Sequence, residues 1–491
     1  MEHATPSVWR ELALERLGRE SFDLLVVGGG IVGAAVAAQA AELGLAVALV
    51  DRGDFASATS SASSKLIHGG LRYLRMGDFR LVHEALAEGQ ALLGAVAPHL
   101  VRRLPFVLPV YDGGPYGKTA IRSALWLYRA LAGQRVGGSI ITPAEAAALV
   151  PSLRLEGVKT AGLYVDAQTN DARLCLANVR AAADRGAAVL NYAEVVSIGH
   201  GGADVADRVG SSVVSVRARA IVNATGPWVD HVRRLEDPGA GRSVTLSKGA
   251  HLVLDLPARW EAAVTIQVDK ARVSFAIPWE GMLLLGTTDE PFDAAPETVA
   301  VTDADERQIL AEAARGLVAD AIRPEAVRAR FAGLRVLPAA RRGTAKARRE
   351  TTITTGPLGM VTVAGGKLTT YRRIAAKVLD ALRPQLGLRT PSDALTPLPG
   401  AADPEAVAAA LLRDRPELDP AVAESFAHTY GALAADVGAV DDDPVAAQVR
   451  YARDHEWAVT SEDVLRRRTT LALRGLDTPE LRVRVEELLR R

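Results

Sequence analysis

The stretch from Phe22 to Arg52, FDLLVVGGGIVGAAVAAQAAELGLAVALVDR, constrains the fold of this chain more than any other. An apolar run, Phe22 to Val27, leads into Gly28, Gly29 and Gly30. Gly33 follows, Ala34 to Leu43 reads as a helix of small residues, and Leu45 to Val50 reads as a second apolar strand closed by Asp51. A strand–turn–helix–strand unit carrying GxGxxG, with an acid at the tip of its second strand, is built to grip a dinucleotide. Gly28 permits the tight turn, Gly30 lets the backbone approach a pyrophosphate, and Gly33 lets helix and strand pack closely. The helix N-terminus offers unpaired amides to phosphate charge, and Asp51 can accept hydrogen bonds from both hydroxyls of a ribose. Three glycines among 43 mean little alone; strand, helix and acid around them carry the reading. Leu24 to Ala41 holds no charged residue and approaches the ~20 residues of a membrane span. The glycine cluster, the flanking Asp23 and Glu42, and the second apolar run fit a buried parallel strand and its helix better.

At 491 residues the chain exceeds a single hydrophobic core, so two or three domains are expected. Basic and acidic residues balance at 58 each, and aromatics make up 5%; neither favours a nucleic-acid partner. The lone Cys175 excludes an internal disulfide and a cysteine-rich metal site, and no metal is expected. Glu2, Arg10, Glu11, Glu15 and Arg16 precede any long apolar run, which does not suit a secretory signal and points to the cytoplasm.

After Asp51, residues 57–64 are crowded with hydroxyls and small side chains and run into Lys65, His68, Gly69, Gly70, Arg72 and Tyr73. Such a loop brings amides and hydroxyls close to phosphate or a planar ring, and its cationic end distinguishes it from a linker. The segment TSSASSKLIHGGLRYL resembles the signature of FAD-dependent, quinone-linked glycerol-3-phosphate dehydrogenases. The resemblance continues in order through FRLVHEALAE, VDAQTNDARL, VNATGPWV, SKGAHLVL, FAIPW, GTTDEPF, AGLRVLP, AGGKLTTYRRIA and RDHEWAVTSEDVLRRRTTLAL.

That resemblance implies an α/β fold with three parts. A Rossmann-like FAD-binding domain of the glutathione-reductase/D-amino-acid-oxidase-like type would take residues 20–80, 155–245 and 345–388. An antiparallel-sheet substrate domain would take 81–154 and 246–344, and a C-terminal α-helical cap domain 400–491, after a Pro-rich linker. For FAD it implies contacts from Gly28, Gly30, Gly33 and Asp51, and from Thr59, Ser60, Ser61, Ser64, Lys65, Leu66 and Ile67. It adds the backbone at Val195, then Thr225 and Gly226, and finally Gly366, Lys367, Leu368 and Thr369 ahead of a helix facing the flavin.

For the substrate it implies Arg72, Tyr73, His251, Arg335 and Lys367. Guanidinium groups hold phosphate oxygens bidentately. His251, Arg335 and Lys367 would be catalytic, with His251 as base because an ordinary imidazole titrates near ~6.5; His68 competes for that role. The implied reaction oxidises sn-glycerol 3-phosphate to dihydroxyacetone phosphate by hydride transfer to FAD. Electrons would pass to a membrane quinone, from an enzyme bound peripherally at the inner face of the cell membrane and paired into a dimer. Alternatives are another polyol phosphate such as erythritol phosphate, or oxygen as acceptor, although oxygen-linked relatives usually carry an extra insertion. A non-catalytic flavoprotein is disfavoured by Arg72, Arg335 and Lys367. The family commonly has Pro after the arginine matching Arg335; here Val336 follows, and residues 341–349 are unusually basic.

Two local expectations remain. Gly117 to Gly133 reads as an amphipathic helix whose apolar face suits either membrane docking or packing on a neighbouring domain. Gly199 to Ser211 reads as a Gly/Asp-rich hairpin turn.

Overall fold

The computed structural model describes residues 8–70, 78–114, 116–131, 138–269, 272–339, 351–388 and 395–490, which form two sheets and a helical C-terminal region. The first sheet runs in the order Thr352–Thr355, Val361–Ala364, Val213–Asn223, Ser21–Val27, Val47–Val50, Ala188–Leu190. Its centre is parallel: Leu24 pairs with Ala220 on one side and with Val47 on the other. Leu24 and Val26 enter one core while Leu25 and Val27 enter the opposite one, so the Ser21–Val27 strand is apolar at successive positions. The Ile31–Glu42 helix buries Ala34, Ala37, Ala38 and Ala41 and lies against the Asp171–Ala183 and Tyr371–Leu386 helices. Its small side chains are what allow three helices on one sheet face. On the other face the Val8–Arg19 helix buries Ala13 and Leu17, and its buried Arg10 pairs with Asp207.

Among the described residues the second sheet has ten strands and is mostly antiparallel. Val244–Asp255 pairs with both Met282–Gly286 and Val327–Pro338, and Val158–Thr169 pairs along its length with Val101–Tyr111. Leu66–Ile67 adds to the same sheet through Gln168 and Ala167. The boundary expected at residue 155 thus precedes a strand of the second sheet, and the chain re-enters the first at Ala188. The segment 20–80 likewise lends Leu66–Ile67 to the second sheet. Strand alternation looks the same whichever sheet supplies the partner, and the partners decide. The stretch Gly199 to Ser211 is not all turn: Gly202–Asp207 is a strand between Ala193–Gly199 and Val213–Asn223. Ala203 and Val205 face the core, while Asp204 takes the Ser197 and Ser215 hydroxyls on the exposed side.

The amphipathic helix forms as Lys118–Leu131, and its apolar face packs on the second sheet through Ile121, Leu125 and Tyr128. Gly162 opposite leaves the room, since a Cβ there would lie 2.9 Å from Ile121. Trp126 stays outside, 70% exposed.

Helices at Pro404–Asp414, Pro420–Tyr430 and Pro444–His455 begin alike. An Asp N-cap accepts an amide of the first turn, and Pro sits at the first helical position. Among the described residues no helix is long and apolar enough to cross a membrane.

Candidate active site

A cavity of about 1280 Å³ runs between the two sheets, from Gly28 and Asp51 at one end to Arg335 and Lys367 and on to an apolar wall of Phe106, Leu108 and Tyr164. At the first end the chain leaves the Ser21–Val27 strand through Gly28 with φ of +105°. A Cβ there would lie 2.7 Å from the Ala224 carbonyl oxygen. A Cβ on Gly33 would overlap the Gly28 carbonyl oxygen, so helix and strand meet only because that position is bare. The Ile31–Glu42 helix has Gly30 as N-cap and no side-chain cap, which leaves its N-terminal amides toward the cavity except for Ile31, which donates to Ser60 Oγ at 2.9 Å.

Asp51 lines the cavity and accepts one amide on each oxygen, Gly29 N at 2.6 Å and Gly53 N at 2.8 Å. A carboxylate offers about four lone-pair sites, so capacity for two ribose hydroxyls remains. Burial pushes its pKa up to about 6, against the pull of the two amides. Protonation removes an acceptor, so dinucleotide affinity should weaken as pH falls from 7 to 5. Titration of the apoprotein with its dinucleotide across that range checks this; in Asp51→Asn the pH dependence should vanish.

The hydroxyl-rich loop divides by direction. Thr59, Ser60, Ser64 and Leu66 line the cavity, whereas Ser61, Lys65 and Ile67 do not. Lys65 is buried with its ammonium on Asp171 at 2.6 Å and on the Ser61 carbonyl at 3.2 Å. Its charge therefore stabilises the loop from behind and is not available to a cofactor phosphate. Ser63 hydrogen-bonds the same Asp171, and Thr59 donates to the Leu334 carbonyl. Val195, Thr225 and Gly226 line the cavity, as do Gly366, Lys367 and Leu368. Thr369 does not; its hydroxyl is bound to the backbone of His68, and so ties the two segments together.

At the other end Arg335 is carried by the Val327–Pro338 strand opposite Ser247. Its guanidinium donates to Thr287 Oγ1 at 2.9 Å, the Thr288 carbonyl at 3.0 Å and Asp289 at 3.3 Å. Gly249 clears its path, because a Cβ there would lie 2.6 Å from Nη2. Val336 after it stands opposite Leu246 in the same antiparallel pairing.

His251 sits one layer back. It is buried, stacked on Phe331 at 4.8 Å, and reaches the cavity only through Ser64, whose Oγ is 2.9 Å from Nε2. Burial, and then the charges of Arg335 and Lys65, hold its pKa well below the ordinary value. His68 lines the cavity. Arg72, Tyr73 and the basic stretch 341–349 lie outside the described residues.

Sequence reasoning passed over Asp166. It lines the cavity and accepts from Tyr128 at 2.5 Å and from the Gly69 amide at 3.3 Å, with its pKa raised to about 7 by burial. An acid within an apolar strand facing a Gly-Gly turn is the only trace it leaves in the sequence. Among the described residues no group of three or more His, Cys, Asp or Glu side chains could hold a metal ion.

Residues 23–372 match the family model of FAD dependent oxidoreductases, and residues 394–485 that of the C-terminal domain of alpha-glycerophosphate oxidase. A Caenorhabditis elegans protein named "Probable glycerol-3-phosphate dehydrogenase, mitochondrial" is 36% identical over 500 residues, covering 92% of this chain and 68% of that one. The aerobic glycerol-3-phosphate dehydrogenase of Staphylococcus haemolyticus is 34% identical over 391 residues, covering 77% and 70%. Among solved structures, the glycerol-3-phosphate dehydrogenase from Bacillus halodurans complexed with FAD superposes with a TM-score of 0.76 at 28% identity, covering 98% of this chain and 96% of that one. L-alpha-glycerophosphate oxidase from Mycoplasma pneumoniae, with FAD bound, shares the fold with a TM-score of 0.59 at 18% identity, covering 77% and 99%.

Proposed function

The chain belongs to the FAD-dependent glycerol-3-phosphate dehydrogenases, and we propose that it oxidises sn-glycerol 3-phosphate to dihydroxyacetone phosphate and delivers the electrons to a quinone. The residues fit the cofactor. Gly28 and Gly33 are bare where a Cβ would collide, and Asp51 keeps free lone pairs at the cavity wall. Bound FAD supplies the hydride acceptor.

The observation that carries the reading is Arg335. Its guanidinium is fixed by Thr287, Thr288 and Asp289 at the wall of the cavity that Lys367 also lines. Two cations from separate elements on one cavity suit a phosphate dianion, and a preset fork loses little entropy on binding it. Arg72 and Tyr73 precede the described helix Phe79–Ala91 and complete the anchor in this reading.

In this reading the neutral imidazole of His251 orients the Ser64 hydroxyl at the cavity wall, while burial beside Arg335 and Lys65 holds its pKa down and makes it a weak proton acceptor. The sign follows: the unfolded chain takes up a proton near ~6.5 that the fold refuses, so His251 lowers stability as pH falls below that value. In the working range, kcat/KM should show no limb near 6.5 that disappears in His251→Gln; such a limb would remove the neutral-imidazole role.

For the acceptor, substrate-reduced enzyme mixed with a soluble quinone analogue should reoxidise much faster than with air. Rapid reoxidation by oxygen with stoichiometric peroxide would point to an oxidase. The reading places the enzyme, as a dimer, against the inner face of the cell membrane. The exposed Trp126, with Arg122 and Arg129 beside it on the Lys118–Leu131 helix, supports that contact. Co-sedimentation with anionic vesicles tests it.

A further inference from the structure

We propose that the C-terminal helical region is part of the cofactor site, with Arg467 and Arg468 acting on Asp54 to hold the loop that shapes the adenosine end of the cavity. None of the described residues 395–490 lines that cavity, so the effect is indirect and the two arginines are positioning residues. The inference rests on FAD as the cofactor and not on the substrate proposed above.

The loop after Asp51 is exposed to the cavity on one side through Arg52, Gly53, Ala56, Ser57 and Ala58. From behind, Asp54 is buried and gripped by the C-terminal region. Arg468 places Nη2 2.8 Å from Oδ1 and its other amino group on Oδ2, and Arg467 Nε donates to Oδ2 at 2.5 Å. Asn191 donates to Oδ1 at 2.9 Å and also to the Trp457 carbonyl. Both arginines are themselves buried; Arg467 also pairs with Asp463 at 2.6 Å, and Arg468 Nε donates to the Glu456 carbonyl at 3.0 Å. The next residue, Phe55, meets the Trp457 ring edge-on at 5.6 Å and lies against Gly29, where a Cβ would strike its ring.

Two successive loop residues are thus backed by residues 457–468. Their neighbours face the ligand: Gly53 N holds Asp51 Oδ1, and Ala56 N donates to the Gly29 carbonyl at 3.1 Å. Removing one partner of a buried ion pair leaves a charge uncompensated, which a short loop relieves by turning toward water. Here the water lies on the cavity side, and Asp51 and Gly29 move with the loop. Burial raises the Asp54 pKa and the two guanidiniums overrule it, which keeps the carboxylate ionised.

The test titrates full-length apoprotein with FAD, followed by flavin fluorescence, and with ADP, followed by calorimetry. In Arg468→Met both Kd values should rise by the same factor, on the order of tenfold or more. Arg468→Lys, which keeps the charge and loses the fork, should fall between, and kcat at saturating FAD should not change. Arg173→Met is the control. It breaks the buried Arg173–Glu456 pair of the same interface, at 2.7 Å, without touching the loop, and should lower thermal stability while leaving both Kd values unchanged. An unchanged Kd in Arg468→Met, or an equal rise in Arg173→Met, would overturn the proposal. Should Arg468→Met fail to fold, Asp54→Asn is read by the same titrations with the same two outcomes.

Discussion

Replacing Arg335 by alanine should raise the KM for glycerol 3-phosphate by at least about 100-fold and leave FAD bound. A hydrogen bond to a charged group contributes about 1.5–3 kcal/mol, and a guanidinium fork makes two of them to one phosphate. The loss falls mainly on binding, since the same contact serves substrate and transition state. Arg335 is held by Thr287, Thr288 and Asp289, in the connection between the Met282–Gly286 and Glu290–Phe292 strands of the second sheet, so its removal does not reach the Gly28–Gly33 turn. Steady-state kinetics with the flavin spectrum of the purified variant check both halves. Unchanged kinetics would remove Arg335 from the site, and loss of flavin would show that it acts on the fold.

Gly33→Ala has the largest expected effect on the cofactor. The added methyl overlaps the Gly28 carbonyl oxygen, and that atom is backbone flanked by the central strand, so neither side can give cheaply. Overpacking of this kind costs about 1–3 kcal/mol or more. Relief must separate the Ile31–Glu42 helix from the strand, and this displaces the N-terminal amides proposed to meet the cofactor's pyrophosphate. The variant should purify without flavin and melt below the parent, as seen by absorbance and thermal unfolding. Retained FAD at the parent's affinity would contradict the packing account.

Gly33 was readable from the sequence for steric reasons, whereas Arg335 entered only through the family resemblance. A GxGxxG turn between apolar runs has few conformations, and a strand buried on both faces needs unbroken hydrophobicity. The hydroxyl loop was legible as a loop, but not the target of each hydroxyl. Ser63 and Lys65 bond Asp171, 108 and 106 residues away, while Thr59, Ser60, Ser64 and Leu66 line the cavity and Ser61, Lys65 and Ile67 do not. His251 was legible as a residue of interest. Its place behind Ser64 was not, because stacking on Phe331 sets it and that contact spans two strands. The partner of the Val158–Thr169 strand was not legible either, since its alternation does not say which sheet pairs with it. The grip of Arg468 on Asp54, 414 residues apart, leaves no local trace at either end.

The most direct measurement is anaerobic addition of sn-glycerol 3-phosphate to the purified flavoprotein, alongside erythritol 4-phosphate, glycerol and NADH. Glycerol 3-phosphate should bleach the flavin band completely within the turnover time, with dihydroxyacetone phosphate formed in equal amount, while glycerol and NADH leave the spectrum unchanged. A flavin that stays oxidised with glycerol 3-phosphate, or that is reduced faster by the longer polyol phosphate, would contradict the account.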